Sequence, residues 1–538
     1  MSAGYDDVVG TETAGMKHWH PRLIEAAAAM HANRLDIAER LLKPHLKEDP
    51  YDVRAIRMLA ELAARIGRLK DSENLLRRAL EIAPNFNPAR ANLAMVLGRL
   101  GRPAEALSLL DDLFREEPEV LSHMNLKAAT LGRLGDFDQA IALYQQVIER
   151  APLQPRVWQS YGHLLKTIGR TEEGIAAYRR AIELKPTLGE AWFSLANLKT
   201  VRFSEEDVAA MEGALDAPDL GESDRFHLEF ALGKAMHDAK RTDEAFEHYS
   251  KGNAQRRRFH PHRADDITAK VDRSIELFTR EVLTSAGGCH APDPIFIVGM
   301  PRAGSTLVEQ ILSSHSKVEG TSELPDLPAV AREDGGYPDS AARLSPSERE
   351  AAGEAYLRRA AVQRRTDRPF FIDKLPNNWM FVPFIQLVLP NAKVIDARRH
   401  PLGCCLSNFR QHFARGQDFS YDLDDLGRYY SDYVRLMAYV DAVLPGRVHR
   451  VIYERMVEDT ENEIRALLDH CGLEFEPACL SFYETERAVR TASSEQVREP
   501  IYRDSAEEWR RYEAHLDPLK SALGPVLDAY PGVPDAFL

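Results

Sequence analysis

Cysteine is scarce in this sequence: five thiols in 538 residues (Cys289, Cys404, Cys405, Cys471, Cys479), with no C-x-x-C pair and no regular spacing. A disulfide framework is therefore not expected, and a reduced compartment fits. Long apolar runs are missing too. The longest, Phe381 to Pro390, is about half of the ~20 residues that cross a bilayer. The first residues carry Asp6 and Asp7 rather than a basic stretch followed by an apolar one, so no secretory signal is expected. The expectation from these absences is a cytoplasmic protein without a membrane span. Nor is there an excess of positive charge. Lys and Arg number 69 against 83 Asp and Glu, a net charge of −14, which argues against bulk nucleic-acid binding but leaves room for a local basic pocket. The remaining composition, 44% hydrophobic and 28% charged, is that of an ordinary globular chain too long for one core.

What the sequence has in quantity is periodicity. Proline recurs at Pro50, Pro84, Pro118, Pro152 and Pro186, each 34 residues after the last, and glycine keeps the interval at Gly67, Gly101, Gly135 and Gly169. Small residues fall where paired helices must approach: Ala60, Ala94, Ala128 and Gly162 on first helices, Ser72, Ala106 and Ala140 on second ones. The clearest copy, Pro155 to Leu188, carries Trp158, Gly162, Tyr178, Ala181 and Pro186. This pattern resembles the tetratricopeptide repeat, a helix–turn–helix unit. The resemblance predicts an α-solenoid over residues 19–199 whose concave surface takes a protein or peptide partner. A solenoid that only braces its neighbour or a second subunit is the alternative. Ala26, Ala38 and Pro50 suggest a degenerate first copy, with Pro44 inside its second helix. A weak last copy around Leu232, Gly233, Ala245 and Tyr249 falls in a helical extension and linker over residues 200–291. The run Arg256-Arg257-Arg258 reads as a solvated helix end, and the breaker-rich stretch from Ser285 to Pro294 as the domain boundary.

From Asp293 onward, short apolar runs alternate with longer amphipathic ones, which predicts α/β architecture around a parallel sheet over residues 292–532. Strands are expected at Ile295–Val298, Phe370–Asp373, Lys393–Ala397 and His449–Tyr453. Helices are expected at Leu307–Ser313, from Asn378 to Leu389, and from Pro401 to Ala414. The first strand runs into Gly299-Met-Pro-Arg-Ala-Gly-Ser-Thr306. Strand, glycine-bearing loop and helix N-terminus form an anion cradle, because unpaired backbone N–H groups and the helix dipole favour negative charge there. The loop nearly matches G-x-x-x-x-G-K-[ST], but Ser305 stands where the lysine belongs and Arg302 brings basic charge inside the loop. That departure argues against ATP or GTP hydrolysis and towards another phosphate-bearing donor.

Three blocks now resemble the sulfotransferase family, which transfers a sulfuryl group from 3′-phosphoadenosine-5′-phosphosulfate (PAPS). Pro301, Arg302, Ala303, Gly304, Ser305 and Thr306 look like its 5′-phosphosulfate loop. Arg399 and Ser407 look like its 3′-phosphate pair, and Tyr453, in Val451-Ile452-Tyr453-Glu454, like a residue beside the nucleotide. The arrangement is most similar to that of tyrosylprotein sulfotransferases. That likeness implies Glu323, in Val318–Leu324, as general base and Lys374, in Asp373-Lys374-Leu375-Pro376, as a catalytic cation beside Arg302. It also implies Ser493, in the stretch Ser493–Pro500, as part of a segment over the donor. The chain departs from those relatives at Ser322, where they have a glutamate, at Gln411, where an arginine is expected beside Arg410, and at Glu508, where a lysine is expected near Trp509.

The physics accompanies the likeness. Sulfuryl transfer needs an in-line nucleophile and stabilised charge on peripheral oxygens, which cationic side chains and backbone N–H groups supply without a metal ion. No metal is expected. A guanidinium such as Arg399 grips phosphate bidentately, as a lysine cannot. His315 and His400, close to the phosphate blocks, are rival bases; Arg398 is easily confused with Arg399; and Tyr453 reads equally as a core aromatic. The resulting expectation is a tetratricopeptide α-solenoid followed by a P-loop-like α/β sulfotransferase domain acting on a hydroxyl acceptor, a protein or peptide tyrosine among the choices. Its product would be adenosine 3′,5′-bisphosphate. An adaptor with a nucleotide-binding but non-catalytic C-terminal domain is the alternative, and a P-loop kinase a third. A homodimer is left open.

Overall fold

The computed structural model of the protein describes residues 19–198, 200–333, 335–413, 416–485, 496–501 and 507–537. Its contacts divide the chain into two compact units, Met1–Ala191 and Trp192–Leu538.

The first unit is a stack of helical hairpins. Among the described residues, five pairs run from Pro21–His31 with Leu35–Glu48 to Pro155–Thr167 with Thr171–Leu184. The recurring glycines sit at the turn inside four of these pairs, all left-handed, with φ between 78° and 88°. In the first pair the same position, 34 residues before Gly67, is held by Asn33 at φ 54°. Asparagine is one of the few side chains that tolerates this conformation, so the degenerate copy closes like the others. Pro44 lies within the helix Leu35–Glu48 without ending it. The small residues are where the hairpins close. Ala60, Ser72, Ala106, Ala128 and Ala140 have no exposed surface. Gly162 meets the ring of Tyr178 so closely that a Cβ there would lie 2.7 Å from it.

The weak copy in the second unit repeats that contact. Helices Glu222–Asp238 and Thr242–Phe259 bring Gly233 against the ring of Tyr249, again with 2.7 Å for an added Cβ, and Lys240 turns between them at φ 62°. Arg256-Arg257-Arg258, expected to be a solvated end, is instead partly consumed by packing. Arg256 lies over the rings of Phe226 and Tyr421, and Arg257 pairs with Asp422 and with Asp425 at 2.9 Å. The charged run faces a carboxylate-bearing segment that sequence distance hides.

A five-stranded, wholly parallel sheet forms the centre of this unit: β1 (Pro294–Gly299), β2 (Val318–Ser322), β3 (Phe370–Asp373), β4 (Lys393–Arg398) and β5 (Val448–Ile452), in spatial order β2-β3-β1-β4-β5. Such sheets are covered on both faces, and β1 is accordingly buried throughout. Ile295 and Ile297 join the core with Val308, Ile311 and Leu312 of the helix Ser305–Ser313, while Phe296 meets the ring of Tyr356 at 5.3 Å. The chain leaves β1 for β2 and β3 on one side and later for β4 and β5 on the other, so β1 marks the reversal where open α/β sheets bind ligands.

β2 is a fifth strand, absent from the four expected above. Its polar, glycine-containing sequence fits an edge strand, which pairs on one side only. The helix expected from Asn378 begins as a 3₁₀ stretch, Pro376–Phe381, and becomes α-helical only over Val382–Val388. The helix from Pro401 stops at Phe409, where Arg410 turns away to ion partners described below; Ala414, its expected end, lies outside the described residues. The breaker-rich stretch before β1 is tied to the 382–391 region by Cys289 N–H donating to Val388 O at 2.8 Å. No helix among the described residues is long and apolar enough to cross a membrane.

Replacing Gly162 with alanine should force its methyl into the fully buried Tyr178 ring. Overpacking of this kind costs about 1–3 kcal/mol. Urea unfolding of the Gly162→Ala variant should show that loss; an unchanged midpoint would mean the two helices do not meet as described.

Candidate active site

Four of the five strands end one residue before a residue singled out above: β2 before Glu323, β3 before Lys374, β4 before Arg399 and β5 before Tyr453. β1 leads, through Met300, into the 301–306 loop. Parallel pairing makes all five exits lie on one edge, so residues far apart in sequence converge there.

The loop after β1 is held in an unusual shape. Arg302 adopts φ 65°, a left-handed conformation that costs a non-glycine residue energy, and such strain collects at functional sites. Gly304 follows at φ 98° and forms the N-cap of the helix Ser305–Ser313 without a side-chain cap, leaving first-turn N–H groups directed at the loop. A Cβ on Gly304 would lie 2.9 Å from the Tyr453 ring. Asn408, which sequence reasoning missed, fixes the loop from the next helix: its Nδ2 donates to Pro301 O at 2.7 Å and to Cys404 O at 2.9 Å. The only available signal was an asparagine directly after Ser407, buried inside a helix.

The two blocks that the sequence likened to phosphate sites touch. Arg302 Nε donates to Ser407 Oγ at 3.1 Å, and Arg399 Nη1 reaches Arg302 O at 3.5 Å. The Arg399 guanidinium lies over the Tyr453 ring, 4.8 Å from its centre, and Tyr430 Oη donates to Arg399 O at 2.7 Å. Tyr453 therefore packs on both Gly304 and Arg399. Burial, and then the neighbouring guanidinium groups of Arg399 and Arg410, push Arg302 down to about 10. Crowding of like charge at an uncapped helix N-terminus is an arrangement that a polyanion would relieve.

Arg398 and Arg399 part company at the end of β4. Arg398 is 1% exposed and pairs with Asp396 at 2.9 Å; Arg450 reaches the same carboxylate at 3.0 Å, and Tyr433 Oη donates to it as well. Asp396 is fully buried, yet these partners hold its carboxyl below the ordinary range against the opposing effect of burial. Arg398 belongs to the sheet and Arg399 to the site.

On the β2 side, Glu323 Oε1 accepts from Lys374 Nζ at 2.6 Å. Their meeting depends on a register shift. Gly320 pairs with Ile372 but Ser322, not Thr321, pairs with Asp373, so one extra residue carries Glu323 level with Lys374. Thr321 Oγ1 donates to Ile372 O at the irregularity. Lys374 is 1% exposed and Glu323 about half exposed, so the pair has a buried cationic end and an open carboxylate end. A second carboxylate, Glu309 of the loop helix, lies 4.0 Å from Lys374 and is itself buried. Beneath them Asp373 accepts from Tyr356 Oη at 3.0 Å, and burial pushes its carboxyl up to about 8.

The rival histidines are engaged elsewhere. His315 lies beyond the far end of the loop helix, with Nε2 3.0 Å from Glu474 O and Nδ1 accepting the Lys317 N–H. His400 is stacked on Trp509 at 5.0 Å and packed against Tyr530, and burial lowers its proton affinity. Arg410 meets Glu508 at 2.9 Å, and Glu508 meets His237 at 2.8 Å; against the opposing effect of partial burial, these partners pull the Glu508 carboxyl well below its ordinary range. The acid found in place of an expected lysine thus serves Arg410. Gln411 donates to Asn197 at 3.2 Å. Ser493 lies outside the described residues. Among the described residues, no group of three or more His, Cys, Asp or Glu side chains is placed to hold a metal ion.

Residues 294–477 match the model of the Sulfotransferase family, and residues 25–85, 92–155 and 125–189 match that of the Tetratricopeptide repeat. The chain carries tetratricopeptide repeats N-terminally and a sulfotransferase domain C-terminally. An uncharacterized protein of Aquifex aeolicus is 35% identical over 338 residues, 60% of this chain but 44% of its own length. A Caenorhabditis briggsae protein, provisionally named a protein-tyrosine sulfotransferase, is 24% identical over 35% of this chain and 69% of its own. Among solved structures, the sulfotransferase domain of the Synechococcus PCC 7002 olefin synthase is 23% identical over 42% of this chain and 89% of that one, with a TM-score of 0.32. A tetratricopeptide protein of Thermus thermophilus is 23% identical over 32% and 93%, with a TM-score of 0.30.

The buried charges can be tested by substitution. Arg398→Ala should lower stability by about 3–5 kcal/mol, the usual cost of breaking a buried pair, whereas Arg399→Ala should change it by less than about 1 kcal/mol. Equal losses in chemical denaturation would contradict the division of roles. Asp373 ionises near 3.8 in an unfolded chain and near 8 when folded. Its contribution to stability is therefore complete below the unfolded value and lost as pH rises from about 4 to about 8. Asp373→Asn removes that titration, so the variant should gain on the wild type across this window in melts at stepped pH. A flat difference would mean that Asp373 is already charged in the fold.

Proposed function

We propose that this protein is a sulfotransferase that uses PAPS as donor and a hydroxyl group as acceptor, with a tyrosyl side chain of a protein or peptide as the favoured acceptor. The observation that carries this reading is the contact between the two phosphate blocks: Arg302 on Ser407, with Arg399 against the back of the same loop. A cradle in which two separately recognised anion sites adjoin suits a nucleotide phosphorylated at two ends. The donor supplies an activated sulfuryl group, and adenosine 3′,5′-bisphosphate is left behind.

The residues divide the work by position. First-turn N–H groups after Gly304, with the Ser305 and Thr306 hydroxyls and Arg302, bind the 5′ end and neutralise charge on the peripheral oxygens. Arg399 and Ser407 grip the 3′-phosphate, and Tyr453 shapes the wall between them. Glu323 takes the proton from the acceptor hydroxyl as it attacks, and Lys374 stabilises the charge that leaves. Such a scheme needs no metal ion, because fixed cations and backbone dipoles supply the field. The matching family model supports the reaction class, and the distant relative provisionally named a protein-tyrosine sulfotransferase supports the acceptor preference. The repeats are suited to selecting the protein or peptide partner, as stacked helical hairpins present extended binding surfaces.

Calorimetry with adenosine 3′,5′-bisphosphate should show binding that weakens in Ser407→Ala and Arg399→Lys. Glu323→Gln should retain that binding but lose transfer of labelled sulfate by about 10²–10⁴, the range for a general base. Binding without any transfer by the wild type would favour the adaptor reading, and no binding at all would remove the donor assignment.

A further inference from the structure

Between β4 and the helix that follows it, one peptide unit is left over. The last strand pair is Arg398 with Ile452, and the helix Pro401–Phe409 begins with a proline, which has no N–H. The unit joining Arg399 to His400 belongs to neither ladder, yet side chains hold both of its polar atoms. Its carbonyl, Arg399 O, accepts from Tyr430 Oη at 2.7 Å, and its N–H, on His400, donates to Glu454 Oε1 at 3.1 Å. The other carboxylate oxygen, Glu454 Oε2, accepts from Tyr530 Oη at 2.5 Å. Glu454 directly follows Tyr453, whose ring meets the Arg399 guanidinium. Two consecutive residues after β5 therefore hold both ends of Arg399, its backbone through Glu454 and its head group through Tyr453.

Resting on the reading that Arg399 grips the 3′-phosphate, we propose that Tyr430 and Glu454 are positioning residues that aim the Arg399 guanidinium, and that this clamp gives the site its preference for a nucleotide phosphorylated at the 3′ position. A peptide group is planar, so fixing its carbonyl and its N–H fixes the whole plane, and with it the ψ of Arg399. Side-chain rotamers follow backbone φ and ψ, so a set backbone restricts where a long side chain can reach. Bidentate contact needs that restriction, because two N–H groups must meet two phosphate oxygens together. An arginine without it would attract anions in general and select none by position.

The chemistry of the clamp suits its place. A carboxylate close to a phosphate site opposes the anion unless its oxygens are already engaged, and each oxygen of Glu454 has a donor. Burial raises the Tyr430 and Tyr530 phenols above their ordinary values, so both keep their protons and remain donors. Three segments distant in sequence thus converge on one peptide unit: the helix Leu423–Val443 with Tyr430, the exit of β5 with Glu454, and Tyr530 after the helix Pro525–Ala529.

The test is calorimetry on the full chain with two probes, adenosine 3′,5′-bisphosphate and adenosine 5′-monophosphate, which differ only at the 3′ end. The wild type should bind the bisphosphate more tightly. Tyr430→Phe and Glu454→Ala should each weaken bisphosphate binding about tenfold, the worth of one well-placed hydrogen bond, and change monophosphate binding less than about threefold. Glu454→Gln, which keeps an oxygen to accept the His400 N–H, should retain most of the preference. Arg399→Ala should abolish it, and adding Glu454→Ala to that variant should remove nothing further, because the clamp acts only through Arg399. Equal weakening of both nucleotides, an unchanged preference, or additive losses in the double variant would each overturn the proposal and leave Tyr430 and Glu454 as packing residues. Tyr430→Phe deletes a single oxygen and carries the test if Glu454→Ala does not fold. A wild type that binds the two nucleotides alike, or binds neither, removes the donor reading and the clamp with it. A wild type that prefers the bisphosphate, with variants that keep the preference, removes the clamp alone.

Discussion

One extra residue in the pairing of β2 with β3 is the constraint on which the site depends most. With regular pairing Thr321 would stand opposite Asp373, and Glu323 would overshoot Lys374 by a position. The shift between Gly320 and Ser322 removes that offset, and the acid and the lysine meet at 2.6 Å. Irregularities of this kind re-aim a single side chain without disturbing the rest of a sheet. β2 is the strand best able to host one, because it lies at the edge and has no second neighbour to keep in step.

The remaining strands contribute by ending. A parallel sheet aligns its C-terminal edges, so the first residues after each strand are delivered to a common border whatever their distance in sequence. What changes across that border is the treatment of charge. Inside it, Asp396 is surrounded by Arg398, Arg450 and Tyr433, and burial pushes the Asp373 carboxyl, which accepts from Tyr356, up to about 8. Outside it, guanidinium groups crowd one another around an uncapped helix end. The interior satisfies its charges internally, and the border leaves cationic charge concentrated where a polyanion fits. The same logic separates Arg398 from Arg399, adjacent residues that alternation sends in opposite directions.

The legible parts of the sequence were those written in local patterns. The 34-residue period located the hairpins because each glycine must turn left-handed and each small residue must let a partner helix approach. Even the eroded copies keep these features, with Asn33 and Lys240 standing in at the turn and Gly233 repeating the contact of Gly162. The β1 loop was legible for a similar reason: strand, turn and helix N-terminus are consecutive. β2 was not, since Val318-Glu-Gly-Thr-Ser has neither a run nor an alternation of apolar residues. Arg256 and Arg257 were misread because their partners, Tyr421, Asp422 and Asp425, are some 165 positions away. Asn408 carries no local pattern at all; it matters only through what lies opposite.

By itself, then, the sequence determined the kinds of unit present, a helical repeat and a parallel α/β domain, and the strand–loop–helix turn after β1. Those properties reside in periods and in contiguous spacing, which backbone geometry translates directly into helix, turn and strand. Tertiary structure alone decided which of two neighbouring arginines reaches the border, which acid meets Lys374, and that a second acid lies behind it. The reason is physical: those outcomes depend on strand register, on side-chain direction at a strand end and on burial between distant segments, none of which is a property of any one stretch of chain.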